Sequence, residues 1–182
     1  LINYPYVKLF YVLVVYRFII IMWDMQNEPF IIENLYKISL ENVWKAITCS
    51  TEMKQWYFDV PGFRAEPGFE FHFVSSSDEE RSYRHQCQVT EVKPFKKLVF
   101  TWQYNHYDAV TLVTIELFPE PDGSTRLMLT HEGLEAYPDN DPDFSKESFA
   151  EGWTWLINCA LKEYLEKTYR PAGKKLKMEV SL

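Results

Sequence analysis

The segment from Glu151 to Glu166, EGWTWLINCALKEYLE, constrains the fold more than any other part of this chain. Its apolar residues recur at steps of three and four, which predicts a long helix with one broad apolar stripe. The stripe comprises Phe149, Trp153, Leu156, Ile157, Ala160, Leu161, Tyr164 and Leu165. Such a helix needs an apolar surface to lie on. Gly152 costs a helix interior ~1 kcal/mol relative to alanine, so it predicts either a close backbone contact or an empty volume beside it.

The residues before this helix predict the sheet that it covers. A first strand is expected at residues 30–38, followed by two short helices, with Ser39 as the N-cap of the first and Ser50 or Thr51 as the N-cap of the second. Apolar and polar residues then alternate in five segments, at 69–73, 83–92, 98–104, 109–118 and 125–132. Short links make these strands antiparallel neighbours. We therefore predict an α+β helix-grip fold: a curved antiparallel sheet of about six strands that grips one long C-terminal helix, with two short helices after strand one.

Composition indicates one domain with a substantial core, because 47% of the 182 residues are hydrophobic and 17% are aromatic. We expect this domain to span residues 25–170, with 171–182 as a C-terminal tail. The net charge of -7 argues against a nucleic-acid partner. Cys49, Cys87 and Cys159 are odd in number and far apart, so neither a disulfide framework nor a zinc knuckle is predicted. A reducing cytoplasm fits these thiols best.

Residues 1–24 differ from the rest of the chain. Leu9 to Trp23 is an apolar run, but it contains Arg17 and is shorter than the ~20 residues that a membrane helix needs. Signal-peptide features are also weak. We interpret residues 1–24 as an upstream extension or an apolar N-terminal segment without fixed structure, with Met25 as the native start. A membrane anchor is the alternative.

Five motifs together resemble the activator of heat-shock-protein ATPase homologue family, over about residues 28–168. They are VWKAITCSTEMKQWY (43–57), PGFEFHF (67–73), VTEVKPFKKLVFTW (89–102), VTIELFPEPDGSTRLMLTHEGL (113–134) and EGWTWLINCALKEYLE. That family is part of the START-like helix-grip superfamily, so the resemblance implies a cavity between sheet and helix. Superfamily members bind lipids, sterols, hormones or polyketides, and only some are catalysts, so the fold does not fix the function. This chain has Gln86-Cys87-Gln88 where many relatives carry a glycine, which would narrow the cavity or straighten the strand.

Strand alternation brings a group of aromatic and polar side chains to the sheet face that meets the helix. The predicted ligand-contacting residues are Trp56, Phe71, Phe73, His85, Trp102, Tyr104, His131 and Trp153. Pockets for small apolar ligands are lined in this way. A filled aromatic core explains the same pattern nearly as well, and His85 and His131 are interpreted either as hydrogen-bonded core residues or as ligand contacts.

The sequence contains little that predicts catalysis or metal binding. No nucleophile elbow, P-loop or dinucleotide fingerprint is present. His85 and Cys87 lack the further ligands that zinc needs. Asp139, Asp141 and Asp143 imitate a calcium loop without its glycine and final glutamate, so they are better explained as capping and turn residues. No catalytic residue, metal or cofactor is predicted.

Three functional hypotheses follow. The favoured one is a cytoplasmic protein that binds a hydrophobic or aromatic small molecule, without contact to nucleic acid or membrane. The second, implied by the resemblance, is interaction with a chaperone ATPase in the stress response, or with a second copy of the chain, for which Tyr107 and Phe144 would offer exposed aromatic surface. The third, a cyclase or hydrolase that uses His85 or His131, has the least support.

Overall fold

The structure is a computed structural model that describes residue 17 and residues 28–76, 81–138 and 140–169. The described part of the chain does not include Asp139, residues 171–182 or, apart from residue 17, residues 1–24. The interpretations of these parts of the chain stay predictions.

One antiparallel sheet forms the platform of the fold. Its strands are β1 (Phe30–Tyr36), β2 (Glu70–Ser76), β3 (Ser82–Lys93), β4 (Lys97–Tyr104), β5 (Val110–Pro119) and β6 (Thr125–Glu132). They lie in the order β1-β6-β5-β4-β3-β2, so β2 to β6 form a meander and β1 pairs with β6. Alternate residues of β3, β5 and β6 are buried, as expected for a sheet with one face in the core.

Two short helices connect β1 to the meander. They are α1 (Leu40–Thr48) and α2 (Ser50–Met53). Ser39 is the N-cap of α1 as predicted, although its side chain makes no capping hydrogen bond. The N-cap of α2 is Cys49, so the prediction that Ser50 or Thr51 caps this helix is wrong by one residue or two.

The long C-terminal helix has three consecutive parts: α3 (Lys146–Trp155), a π-helical segment (Leu156–Ala160) and α4 (Leu161–Thr168). Its N-cap is Ser145, whose hydroxyl accepts a hydrogen bond from the Ser148 backbone N–H at 3.1 Å. The π-helical segment is anchored to β1, because the Tyr36 hydroxyl donates to the Ile157 carbonyl at 2.7 Å.

The apolar stripe of the helix packs on the inner face of the sheet, and Trp153, Ile157, Leu161 and Leu165 are buried there. The predicted α+β helix-grip architecture is confirmed, including the six antiparallel strands and the two short helices after β1.

Candidate functional site

A pocket of about 240 Å³ lies between the sheet and the first half of the C-terminal helix. Its walls come from β2, β3, β4, the segment that follows α2, the turn that precedes α3, α3 itself and the start of the π-helical segment. The lining residues are Phe58, Ser75, Tyr83, His85, Trp102, Tyr104, Asp143, Ser148, Phe149, Gly152, Trp153 and Leu156. We call this space the ligand pocket. Aromatic rings provide most of its wall, and the polar groups are few.

All eight residues predicted to contact a ligand are buried, but they do not all border the same space. The ligand pocket is lined by four of them: His85, Trp102, Tyr104 and Trp153. Trp56 and Phe71 instead border a void of about 20 Å³ further inside, together with Trp153. Phe73 and His131 line neither space. The role of these residues in ligand contact stays a prediction.

Strand register explains why three of the aromatic residues meet. Phe73 on β2 is opposite His85 on β3, which is opposite Tyr104 on β4. Directly opposed residues of antiparallel strands project to the same face with their Cβ atoms close together. The imidazole of His85 accordingly stacks on Phe73, with ring centroids 4.2 Å apart, and lies 4.3 Å from the ring of Tyr104.

His85 is a buried histidine whose hydrogen bonding is incomplete. Only 1% of the residue is exposed, and its Nδ1 atom has no hydrogen-bond partner. Burial lowers the pKa of His85 from 6.5 to about 3, against a smaller opposing effect of hydrogen bonding to the backbone of Tyr83 and Phe73. The side chain is therefore neutral at pH 7, with one ring nitrogen as donor and the other as acceptor.

Trp102 carries the second unpartnered polar atom of the ligand pocket. Its indole Nε1 is buried and makes no hydrogen bond of good geometry. Burial raises the pKa of Tyr104, and the Trp102 N–H, which lies beside the Tyr104 hydroxyl as a hydrogen-bond donor, opposes this rise. The rings of Trp102 and His85 are 4.6 Å apart and nearly perpendicular. His85 Nδ1 and Trp102 Nε1 are fully buried, so both atoms are enclosed by protein and not open to the pocket, although other atoms of the two side chains line it.

His131 differs from His85, because both of its ring nitrogens are occupied. Its Nδ1 accepts a hydrogen bond from Trp153 Nε1 at 3.0 Å, which requires the proton of the neutral ring to be on Nε2. That N–H donates to Thr111 Oγ1 at 2.8 Å, and the Thr111 hydroxyl donates to the Trp102 carbonyl at 3.0 Å. Burial lowers the pKa of His131 to about 3. His131 is thus a hydrogen-bonded core residue that orients Trp153.

Trp153 separates the ligand pocket from the inner void, because its ring borders both. The inner void of about 20 Å³ has space for one water molecule at most, and its walls are almost entirely apolar. The predicted space between sheet and helix is therefore filled by side chains behind Trp153 and open in front of it. Both interpretations of the aromatic residues, a filled core and a pocket, hold in different halves of the interior.

Gly152 supplies part of the open space. A Cβ atom built at Gly152 would have no neighbour within 4 Å, and the residue lines the ligand pocket. Of the two alternatives for this glycine, the empty volume is confirmed and the close backbone contact is wrong. Gly152 is exposed, so a larger side chain at this helix position would lie at the opening of the pocket.

Polar groups gather at the rim of the pocket. Asp143 accepts hydrogen bonds from the Tyr83 hydroxyl and from Arg81 Nη1, the latter at 2.8 Å, and these bonds hold the pKa of its carboxyl below the ordinary value. Asp141, by contrast, caps the turn as predicted, by accepting from the Asp143 backbone N–H at 3.1 Å. Sequence reasoning gave Asp143 only a capping role, since nothing local indicates that Tyr83, 60 positions earlier, lies beside it.

Phe58, Phe149 and Leu156 are further pocket residues absent from the predicted set. Phe149 and Leu156 belong to the apolar stripe of the helix, so that pattern contained their signal. Phe58 is in an irregular segment, where alternation gives no direction; its ring stacks on Phe73 with centroids 4.4 Å apart.

The expectation that Phe144 is exposed is wrong. Only 5% of the residue is exposed, because its ring packs on those of Tyr83, Tyr104, Tyr107 and Tyr137. Phe144 follows a proline in a short 3-10 turn, which directs the side chain inward. It therefore supports the pocket wall and offers no surface to a second copy of the chain.

Within the described residues, no group of three or more His, Cys, Asp or Glu side chains is arranged to hold a metal ion. The described helices also include none that is long and apolar enough to cross a membrane.

Comparison with known proteins gives a family and a set of similar folds. The family model described as "Activator of Hsp90 ATPase homolog 1-like protein" matches residues 37–166, well over half of the chain. No curated protein shows significant similarity.

Among solved structures, protein MLL2253 from Mesorhizobium loti is similar, with 24% identity and a TM-score of 0.62 over 78% of this chain and 99% of that one. The Mll3558 protein from Rhizobium loti has 25% identity and a TM-score of 0.65, with coverage of 76% and 97%. CalU16 from Micromonospora echinospora has 19% identity and a TM-score of 0.57, with coverage of 74% of each chain. At these identities the similarity supports the fold.

Proposed function

The chain belongs to the Activator of Hsp90 ATPase homolog 1-like family, and on that basis we propose that it binds a small hydrophobic or aromatic molecule in the ligand pocket. The observation that carries the proposal is an open pocket of about 240 Å³ walled by aromatic rings, with a helix glycine among its lining residues. Apolar walls provide affinity, and a few polar atoms fix the orientation of the ligand.

The volume limits the size of the ligand. Pockets that enclose drug-sized molecules measure roughly 300–1,000 Å³, and the ligand pocket is smaller, at about 240 Å³. Molecules of one or two rings fit this space. A sterol or a long-chain fatty acid would extend far beyond the rim or require Trp153 to move.

Thermal unfolding in the presence of a ligand panel tests the proposal. The panel contains one-ring and two-ring aromatic compounds, short-chain and long-chain fatty acids and a sterol. We expect the small aromatic compounds to raise Tm, because a ligand that binds only the folded state stabilises it by mass action. The matched control is Gly152→Leu, because Gly152 lines the pocket and a leucine there would narrow its opening. This variant should fold and lose the ligand-dependent shift.

Two results contradict the proposal. One is a panel in which no compound changes Tm or the tryptophan fluorescence of the wild-type protein. The other is a shift of equal size in Gly152→Leu, which would mean that the ligand binds elsewhere.

A second candidate is chaperone interaction, which the name of the family supports, together with Trp155. This tryptophan is 61% exposed on the helix side that faces away from the sheet. Large exposed aromatic residues are frequent anchors of protein interfaces. An ATPase assay with the heat-shock ATPase of the same organism tests the candidate: stimulation by the wild-type protein that Trp155→Ala removes would support it. Unchanged ATPase rates would exclude it.

We also place the protein in the cytoplasm. All three cysteines are free thiols, which fits a reducing compartment. An acid-base role for the histidines has less support, since both nitrogens of His131 are engaged in structural hydrogen bonds. The predicted homodimer stays a prediction.

A further inference from the structure

The Asp143 carboxylate at the rim of the ligand pocket has one oxygen free for a ligand. The hydrogen bonds that it accepts from the Tyr83 hydroxyl and from Arg81 Nη1 both go to Oδ2. The Oδ1 atom accepts none from the described residues and is not one of the fully buried atoms that lack a partner. The hydrogen bond from Tyr83 lowers the pKa of the carboxyl, which is therefore ionised at pH 7. An ionised carboxylate accepts about four hydrogen bonds, so Oδ1 is available to a donor on the ligand.

The charges of the pocket lining favour a cation over an anion. Among the described residues that line the ligand pocket, Asp143 is the only charged one, and none is a lysine or an arginine. His85 is neutral at pH 7, because burial lowers its pKa to about 3. Arg81 lies beside Asp143, but its side chain is 58% exposed, so water screens its charge. An anionic ligand would therefore meet a carboxylate and no cation in the pocket lining.

The aromatic walls also suit an organic cation. The face of an aromatic ring carries negative partial charge, which attracts a cation within about 6 Å of the ring centroid. Six of the twelve lining residues are phenylalanine, tyrosine or tryptophan, so a cation in the pocket has rings near it on several sides. Ser75 and Ser148 are half-buried lining residues, and their hydroxyl oxygens are further acceptors for an N–H donor.

We propose that the ligand is an aromatic molecule of one or two rings that carries a protonated amino group, with its ring between the aromatic walls and its amino group hydrogen-bonded to Asp143. This inference rests on the proposed function and specifies the class of molecule for that site. The side chain of Asp143 is 23% exposed, so an ammonium group beside it keeps part of its water and avoids the full cost of burial. A charge-assisted hydrogen bond is roughly twice as strong as a neutral one, so Asp143 should prefer an ammonium group to a hydroxyl group.

Four probes that share a phenyl ring and a three-carbon chain test the inference: propylbenzene, 3-phenylpropan-1-ol, 3-phenylpropylamine and 3-phenylpropanoate. Titration calorimetry on the wild-type protein gives their Kd values at pH 7.5, where the amine is protonated. We expect the amine to bind about tenfold more tightly than the alcohol, because its hydrogen bond to Asp143 joins two opposite charges. The carboxylate should bind most weakly, because its charge is repelled by Asp143.

Two variants assign the preference to Asp143. Asp143→Asn keeps an oxygen that accepts from Tyr83 and removes the charge, so the ratio of alcohol to amine Kd values should fall to about twofold or less. The matched control is Glu147→Gln, which removes the same charge from an exposed residue of α3 that does not line the ligand pocket. This control should retain the tenfold ratio.

Carbon NMR on the wild-type protein decides the question even if Asp143→Asn fails to fold: the carboxyl resonance of Asp143 should shift on addition of the amine and not of propylbenzene, and an unchanged resonance would overturn the inference. Equal affinity for the amine and the alcohol would overturn the inference and leave the proposed function intact, as would tightest binding of the carboxylate. A tenfold preference that survives Asp143→Asn would overturn it too, because the amine would then bind elsewhere. If none of the four probes binds and the wider panel also gives no shift, both the inference and the proposed function are wrong.

Discussion

Acid should destabilise this protein through its two buried histidines at a pH where its carboxylates are still ionised. His85 and His131 are 1% and 0% exposed, and burial lowers the pKa of each from 6.5 to about 3. The unfolded chain takes up these protons near pH 6.5, whereas the folded protein resists them until about pH 3. Protonation therefore favours the unfolded state. Stability is full above pH 6.5 and falls as the pH decreases from 6.5 towards 3.

The size of the effect follows from the two pKa values. Integration of the proton linkage between pH 7.5 and pH 5 gives a loss of about 2 kcal/mol for each histidine, or about 4 kcal/mol for both. Domains of ordinary size have a free energy of unfolding of roughly 5–15 kcal/mol. The loss is thus a large fraction of the total, and a clear decrease in the urea midpoint near pH 5 is expected.

Urea denaturation at pH 7.5, 6 and 5, monitored by tryptophan fluorescence, measures this loss. His85→Phe keeps a ring beside Phe73 and removes one titrating group, so it should lose only about 2 kcal/mol over the same interval. His72→Gln is the control and should keep the full loss, since His72 is exposed. His131 is less suitable for substitution, because its loss would leave the Trp153 N–H without an acceptor.

The reasoning is refuted if the wild-type protein loses less than about 1 kcal/mol between pH 7.5 and 5, which would mean that the folded protein admits these protons. A pH dependence that persists in His85→Phe and disappears in His72→Gln would also refute it.

Three further predictions concern stability. Gly152→Ala should raise the free energy of unfolding by about 1 kcal/mol in urea titrations, because alanine favours the helix and its methyl group meets no neighbour within 4 Å; a loss would contradict the empty volume. Tyr36→Phe should lower it by about 1 kcal/mol, because the buried hydrogen bond to the Ile157 carbonyl is lost, and an unchanged value would show that water replaces the hydroxyl. Glu52→Gln should lower the free energy of unfolding by about 1–3 kcal/mol at pH 7, because the buried carboxylate accepts hydrogen bonds from Lys45 and two tyrosines. Burial alone would raise the pKa of Glu52, but these hydrogen bonds outweigh burial and lower it. The difference in stability between variant and wild type should therefore shrink as the pH falls below 4.5.

Local patterns contained most of the fold. Alternation along β3 to β6 gave strands whose ends lie within about two residues of the observed ones, and helical spacing gave the C-terminal helix. These features depend on neighbours in the sequence. The pairing of β1 with β6 and the π-helical segment depend on residues far apart, such as Tyr36 and Ile157, and could not be read from periodicity.

The site was predictable only as a set of inward-facing side chains. Alternation treats His85 and His131 alike, yet one lacks a partner at Nδ1 and the other holds Trp153 in place. That difference comes from residues on other elements, which the local pattern does not specify. Open space is a matter of volume, and Gly152 was its one indication in the sequence, which allowed a second explanation.

The π-helical segment divides the C-terminal helix into two parts that contact different regions of the fold. α3 forms part of the wall of the ligand pocket. Tyr164 on α4 donates a hydrogen bond to Glu52 at 3.0 Å, which connects α4 to α2. The segment holds about one residue more than an α-helix of the same span, so deletion of one residue from Leu156–Ala160 would restore a regular α-helix and nearly keep the orientation of α4 relative to α3. Tyr164 would then stay beside Glu52, and Gly152 and Trp153 would keep their places. Sequence change in α3 can therefore reshape the pocket while the contact between α4 and Glu52 is kept.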